Sequence, residues 1–154
     1  MTLPRLVASG FGSGFAPRAP GTVGSLLAVL LGIPLMLAPQ GVLALAIALA
    51  SVAGLWAIRA TRAADEPGGD PGWVVIDEIA GQWLALLGLA RPTILGLLAA
   101  FALFRLLDIV KPGPIRWADR QGGAAGIMAD DLIAGALAAG ILWAARRSWP
   151  GLFD

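Results

Sequence analysis

Five runs of apolar residues, each 15–19 residues long, take up most of this 154-residue chain. They cover 22–38, 42–58, 73–90, 93–107 and 127–145. Apolar side chains surround each run on nearly all faces, and the 3.6-residue amphipathic period is weak. Helices that face lipid have this pattern, whereas helices on a soluble core carry one apolar stripe. Each run falls slightly short of the ~20 residues of a full span, a gap that flanking residues or local bilayer thinning closes. Charged residues are 14% of the chain, against roughly 25% in soluble domains. There is no internal repeat and no strand-like alternation. The sequence predicts one all-α domain over 1–154, a multihelical bundle embedded in a membrane with four to five apolar helices. The alternative is a soluble all-α bundle with a large core.

Glycine, proline and charge mark the connections. Residues 1–21 read as a loop punctuated by Gly10, Gly12, Gly14, Pro17, Pro20 and Gly21. The stretch 59–72 reads as an exposed connection, with Arg59, Arg62, Asp65, Glu66 and Asp70. Arg91-Pro92 is a tight turn, and 108–126 is charged and broken by Pro112, Gly113, Pro114, Gly122 and Gly123. The first apolar run follows a Gly/Pro-rich stretch and lacks the layout of a cleavable signal. With the N-terminus in the cytoplasm, Arg5, Arg18, Arg59, Arg62, Arg105, Lys111, Arg116 and Arg120 all fall on the cytoplasmic side. Only Arg91 occupies the opposite short turn, in keeping with the positive-inside rule. Arg146-Arg147 falls outside if the last helix spans fully.

Six acids interrupt this apolar background: Asp77-Glu78, Asp108, Asp119 and Asp130-Asp131. Carboxylates among apolar helices repel one another and resist desolvation, so they need compensation. A divalent cation is the simplest source. The topology gathers all of them, with the glycine-rich start, at one membrane face. The chain has no Cys and no His, which removes thiolate and imidazole nucleophiles and the usual transition-metal ligands. What remains is oxygen-ligand chemistry, suited to Mg²⁺ or Mn²⁺ over Zn²⁺ or Cu²⁺. A net charge of +1 leaves no basic excess for nucleic acid.

Each constellation has a plain reading beside the functional one. Asp77-Glu78 near a helix start complements the helix dipole, but acids within apolar segments are functional candidates. Arg105, Asp108 and Lys111 follow i, i+3 spacing and share a stripe. They form either an ion pair at a helix end or a metal-binding acid between two phosphate-facing cations. Arg116, Asp119 and Arg120 repeat the pattern on a short turn, and Arg suits bidentate phosphate contact. Asp130-Asp131 opens the last helix, where one of the two is a natural cap. Gly135, Ala136, Ala139 and Gly140 predict close helix packing. The segment Gly10–Ser25 is rich enough in glycine to wrap a phosphate with backbone N–H groups, yet it matches neither the Walker nor the dinucleotide pattern.

Together these stretches resemble the phosphatidylglycerophosphatase A family. The matching residues are Gly12-Ser13-Gly14, Pro20-Gly-Thr-Val-Gly-Ser25, Asp77-Glu78 with Gly81 and Trp83, Phe104-Arg105-Leu-Leu-Asp108-Ile-Val-Lys111-Pro112-Gly-Pro114-Ile115-Arg116, Asp119-Arg120, and Gly126-Ile-Met128-Ala-Asp130-Asp131 with Ala134-Gly135. The linker Gln121–Gly126 departs from the usual Gly-Gly-x-Gly. The resemblance implies Mg²⁺-dependent removal of the terminal phosphate of phosphatidylglycerophosphate at the bacterial inner membrane, with the site facing the cytoplasm. Asp77, Glu78, Asp108, Asp130 and Asp131 are then the metal set. Asp77, Glu78, Asp108 and Asp131 are the catalytic acids. Arg105, Lys111, Arg116, Arg120, Thr22 and Ser25 are the phosphate-binding residues, and Asp119 orients Arg116 or Arg120. The rival readings are a membrane ion carrier, which predicts acids at mid-membrane depth, a phospholipid phosphotransferase, whose Asp-Gly-x-x-Ala-Arg signature is absent, and a non-catalytic helical partner.

Overall fold

A computed structural model describes residues 1–39, 41–64 and 71–153. The order is α1 (Leu3–Ala8), a 3₁₀ turn (Ser13–Phe15), α2 (Pro20–Leu37), α3 (Val42–Ala64), α4 (Ile76–Leu86), α5 (Ile94–Val110), α6 (Pro114–Asp119) and α7 (Gly123–Ser148). No strand occurs among the described residues, so the all-α expectation holds. Among the described residues, three helices are long and apolar enough to cross a membrane: α2, the Val42–Thr61 part of α3, and α7. Their outward faces carry exposed Leu26, Leu30, Leu45, Leu49, Val52 and Ile141.

The other two apolar runs take different forms. The expected helix over 73–90 shrinks to the 11 residues of α4. It is the centre of the bundle, touching α2, α3, α5 and α7. Ile76, Asp77, Ile79, Ala80, Gly81, Gln82, Ala85 and Leu86 are all buried. Its start is delayed because Trp73–Val75 is held outside the helix. The Val75 N–H donates to the Ala8 carbonyl at 2.9 Å, and the Arg5 guanidinium lies 4.8 Å over the Trp73 ring. The β-branched pair Val74-Val75 suits this non-helical path. Helix α5 reaches 17 residues. It is capped by the Thr93 hydroxyl, which accepts from the Gly96 N–H at 3.2 Å.

Three connections also differ from the sequence reading. Residues 1–21 contain α1 and the 3₁₀ turn, and α2 opens at Pro20, whose fixed φ and missing N–H suit a first turn. The 59–72 connection continues α3 through Ala64, and 65–70 lies outside the described residues. In 108–126, α6 forms and α7 begins at Gly123, four residues early, because Gly122 caps it with φ 63. Asp130-Asp131 therefore sits about two turns inside α7, and its capping role is corrected.

Glycine sets how closely these pieces approach. A Cβ on Gly135 would drive into the Gly81 carbonyl oxygen, and one on Gly81 would lie 2.5 Å from the Asp131 carbonyl oxygen. Helices α4 and α7 thus touch backbone to backbone, the small-residue packing typical of membrane helices. Ala139 joins this seam through its backbone at Gly88. Ala136 and Gly140 do not, since both are exposed, and their predicted packing role is corrected. Apart from Gly12, where an added Cβ would meet nothing within 4 Å, the Gly10–Ser25 glycines serve the same purpose. Gly14 abuts the Trp73 carbonyl, Gly24 abuts Val75, and Gly21 abuts Glu78. They let the chain lie against the start of α4.

The seam makes a clear prediction. Gly135→Ala overpacks against immovable backbone and is expected to cost about 1–3 kcal/mol. Gly140→Ala, with nothing within 4 Å of its added Cβ, is expected to be neutral or to stabilise by up to about 1 kcal/mol. Thermal unfolding in detergent measures both, and equal effects would contradict the seam.

Candidate active site

Helices α2, α4 and α7 begin, and α5 ends, at one end of the bundle. Asp77 and Glu78 lie in the first turn of α4. Asp131 reaches them from α7, because the glycine seam passes beside it. One oxygen from each of Asp77, Glu78 and Asp131 lies within 4.8 Å of the others. A cavity of about 100 Å³ opens here, lined by Asp77, Glu78, Asp108, Lys111, Asp130 and Asp131, with Pro71, Gly72, Val74 and Ile127 at its walls. Asp77, Asp130 and Asp131 are buried.

Among the described residues, Arg105 and Lys111 pair with these acids. The Arg105 Nη1 donates to Asp108 Oδ2 at 2.6 Å and to Ser25 Oγ at 3.5 Å, and stands 3.9 Å from Glu78 Oε1. Ser25 Oγ in turn donates to the Gly21 carbonyl at 2.7 Å. Lys111 Nζ donates to Asp119 Oδ1 and to Asp130 Oδ2, each at 2.5 Å. Lys111 makes this reach from a left-handed backbone conformation, φ 48, at the end of α5, a strained state for a non-glycine residue. Burial pulls its ammonium pKa down, but the bonds to Asp119 and Asp130 outweigh that and hold it above the ordinary lysine range.

Burial, reinforced by the adjacent Asp77 carboxylate, pushes Glu78 well above the ordinary carboxylate range. Glu78 Oε2 and Asp131 Oδ1 are buried acceptors with no hydrogen-bond partner among the described residues. Such atoms are costly unless a further donor or cation meets them. These two oxygens, clustered with Asp77 across two helices, fit a hard divalent cation.

The remaining predicted residues are placed as follows. Asp108 and Asp130 line the same cavity, each bound to a cation. Ser25 is fully buried and holds Arg105, while Thr22 is half-buried in the first turn of α2. Arg116 and Arg120 are exposed on α6 and its end, outside the cavity lining, and Arg116 Nη2 donates to the Val110 carbonyl at 3.4 Å. Asp119 pairs with Lys111 (not with Arg116 or Arg120 as expected), because the reversal at Lys111–Gly113 turns the lysine back over α6.

Comparison with known proteins separates the sequence readings. The family model for phosphatidylglycerophosphatase A matches residues 6–146. The chain belongs to the phosphatidylglycerophosphatase A family. It is 40% identical over 146 residues to phosphatidylglycerophosphatase A of Escherichia coli, covering 94% of this chain and 84% of that one. The Haemophilus influenzae phosphatidylglycerophosphatase A is 40% identical over 142 residues, covering 90% and 86%. A Bacteroides thetaiotaomicron protein named provisionally as a phosphatidylinositol-3-phosphatase is 44% identical over 140 residues, covering 86% and 87%. No solved structure matches significantly.

Within this phosphatidylglycerophosphatase A fold, one residue escaped the sequence reading. Gln82 is completely buried on α4, and neither its Nε2 nor its Oε1 has a partner among the described residues. An uncharged amide gives no charge pattern to follow. The available signal was its spacing, one turn beyond Glu78 on an apolar helix.

The raised Glu78 pKa fixes a pH dependence. In metal-free protein, Glu78 holds its proton more tightly folded than unfolded. Between the ordinary carboxylate range and the raised value, stability therefore falls as pH rises. Thermal unfolding in EDTA from mildly acidic to mildly alkaline pH is expected to show that fall. Glu78→Gln is expected to flatten it and raise the melting temperature at neutral pH. A flat wild-type profile would contradict the assignment.

Proposed function

We propose that this chain hydrolyses the terminal phosphate monoester of phosphatidylglycerophosphate, releasing phosphatidylglycerol and inorganic phosphate. We assign it Mg²⁺ as cofactor and the cytoplasmic face of a bacterial inner membrane as its place of action. The observation that carries this reading is the convergence of Asp77, Glu78 and Asp131 beside Lys111 in one cavity, in a chain of this family. The Bacteroides relative's name also specifies a phosphate ester on a lipid headgroup, so the chemistry called for is of the same class. The orientation is supported by Arg5, Arg18, Arg105, Lys111, Arg116 and Arg120 near the end of the bundle that holds the site.

Asp77, Glu78 and Asp131 would hold the ion. When bound, Mg²⁺ supplies Lewis-acid chemistry, neutralising phosphate charge and easing proton loss from an attacking water. Lys111, on the cavity wall, neutralises phosphoryl oxygens as negative charge shifts during displacement. Asp119 and Asp130 hold Lys111 in place. Asp108 and Ser25 do the same for Arg105, which screens Glu78. Asp108 and Asp130 are therefore assigned as holders of cations, with Asp77, Glu78 and Asp131 as the ion's ligands. Water attacks phosphorus, the bond to the glycerol oxygen breaks, and that oxygen takes up a proton. Arg116 on α6 and Arg120 at its end, both exposed, would meet lipid phosphates outside the cavity, and Thr22 in the first turn of α2 would add a hydroxyl. The acyl chains stay beside the apolar outer faces of the spans.

Phosphate release from phosphatidylglycerophosphate in mixed micelles tests the proposal. Activity is expected with Mg²⁺, not in EDTA, and to fall at least about a hundredfold in Asp131→Asn and in Lys111→Met. Release that persists in EDTA, or in both variants, would defeat it.

A further inference from the structure

Gln82 has no part in the ion pairs around the cavity, yet its place in α4 is restrictive. It is completely buried, and among the described residues both amide atoms are unpartnered. Its neighbours hold the helix on both flanks. Trp83 Nε1 donates to the Ala28 carbonyl on α2 at 2.8 Å, and Gly81 lies against the Asp131 backbone on α7. The amide therefore has no route to water. A buried donor and acceptor left unmet destabilise a fold, and a methionine or leucine would fill the same space without that cost.

The missing partner is one turn away. Glu78 Oε2 is also buried and unpartnered, and positions 78 and 82 are i, i+4 neighbours on one helix face, the spacing at which side chains meet. Arg105 stands on the side of the other oxygen, Oε1. Glu78 thus offers an acceptor with no donor, and Gln82 an amide NH₂ with no acceptor among the described residues.

We propose that Gln82 is a positioning residue for Glu78. Its amide N–H donates to Glu78 Oε2 when the acid cluster holds a divalent cation, and so sets the orientation of that carboxylate toward Asp77 and Asp131. The proposal rests on the assignment of Mg²⁺ to this cluster.

Two readouts besides turnover test it. The chain has three glutamines, Gln40, Gln82 and Gln121, and no asparagine, so the side-chain amide region of a ¹⁵N spectrum holds three NH₂ pairs. On adding Mg²⁺ to wild-type protein, the Gln82 pair, identified by its loss in Gln82→Met, is expected to shift while the pair of exposed Gln121 stays. In EDTA, Gln82→Met and Gln82→Leu are expected to melt at or above the wild-type temperature. Both are expected to bind Mg²⁺ about tenfold or more weakly, with kcat lowered and KM for lipid little changed. If the wild type binds Mg²⁺ but the Gln82 pair does not move, or if a folded variant keeps wild-type affinity, the positioning role is overturned and the metal assignment stands. If the wild type shows no Mg²⁺ binding at all, both fall.

Discussion

The contact between the backbones of α4 and α7 at Gly81 and Gly135 is the constraint on which the site depends. Helices usually pack 8–10 Å apart because side chains intervene. Here glycine removes the side chains at the crossing. Asp131 can then meet Asp77 and Glu78 across a short gap. Side chains at either glycine would force the helices apart and open the acid cluster, with no change to any acid.

The arrangement also divides the anions by task. Adjacent helical residues point about 100° apart, and Asp130-Asp131 uses that divergence. Asp130 turns to Lys111 while Asp131 turns to the cluster. Asp108 is likewise occupied by Arg105. Glu78 and Asp131 are left with buried oxygens that no donor among the described residues meets, and the energetic cost is carried by the close-packed helices around them. A buried group held in an unfavourable state by its surroundings is a common mark of a functional site.

The sequence made the chemistry legible and the geometry only partly so. The acids stood out because nothing else in an apolar helix resembles them, and Lys111 stood out through its spacing to Asp108. The bundle class followed from uniform apolarity. The length of α4 was hidden, since the bond from Val75 to Ala8 that delays its start joins residues far apart in the chain. The start of α7 was hidden for a local reason: Gly122-Gly123 reads as a break, whereas here Gly122 is the cap. The glycines of the N-terminal segment read as a phosphate loop because the surface they fit, Trp73–Glu78, appears only after folding. Asp119 was assigned to the wrong cation because the reversal that returns Lys111 over α6 needs a positive φ at a lysine, which no propensity forecasts.

The double hold on Lys111 has a bearing on how the proposed catalytic cycle would close. An ammonium already matched by two carboxylates offers little extra attraction to a resting dianion, and a departing phosphate has to compete with Asp119 and Asp130 for it. Its pull grows only while charge migrates at phosphorus. A cation so arranged assists bond breaking without trapping the product, and leaves the cavity ready for the next lipid.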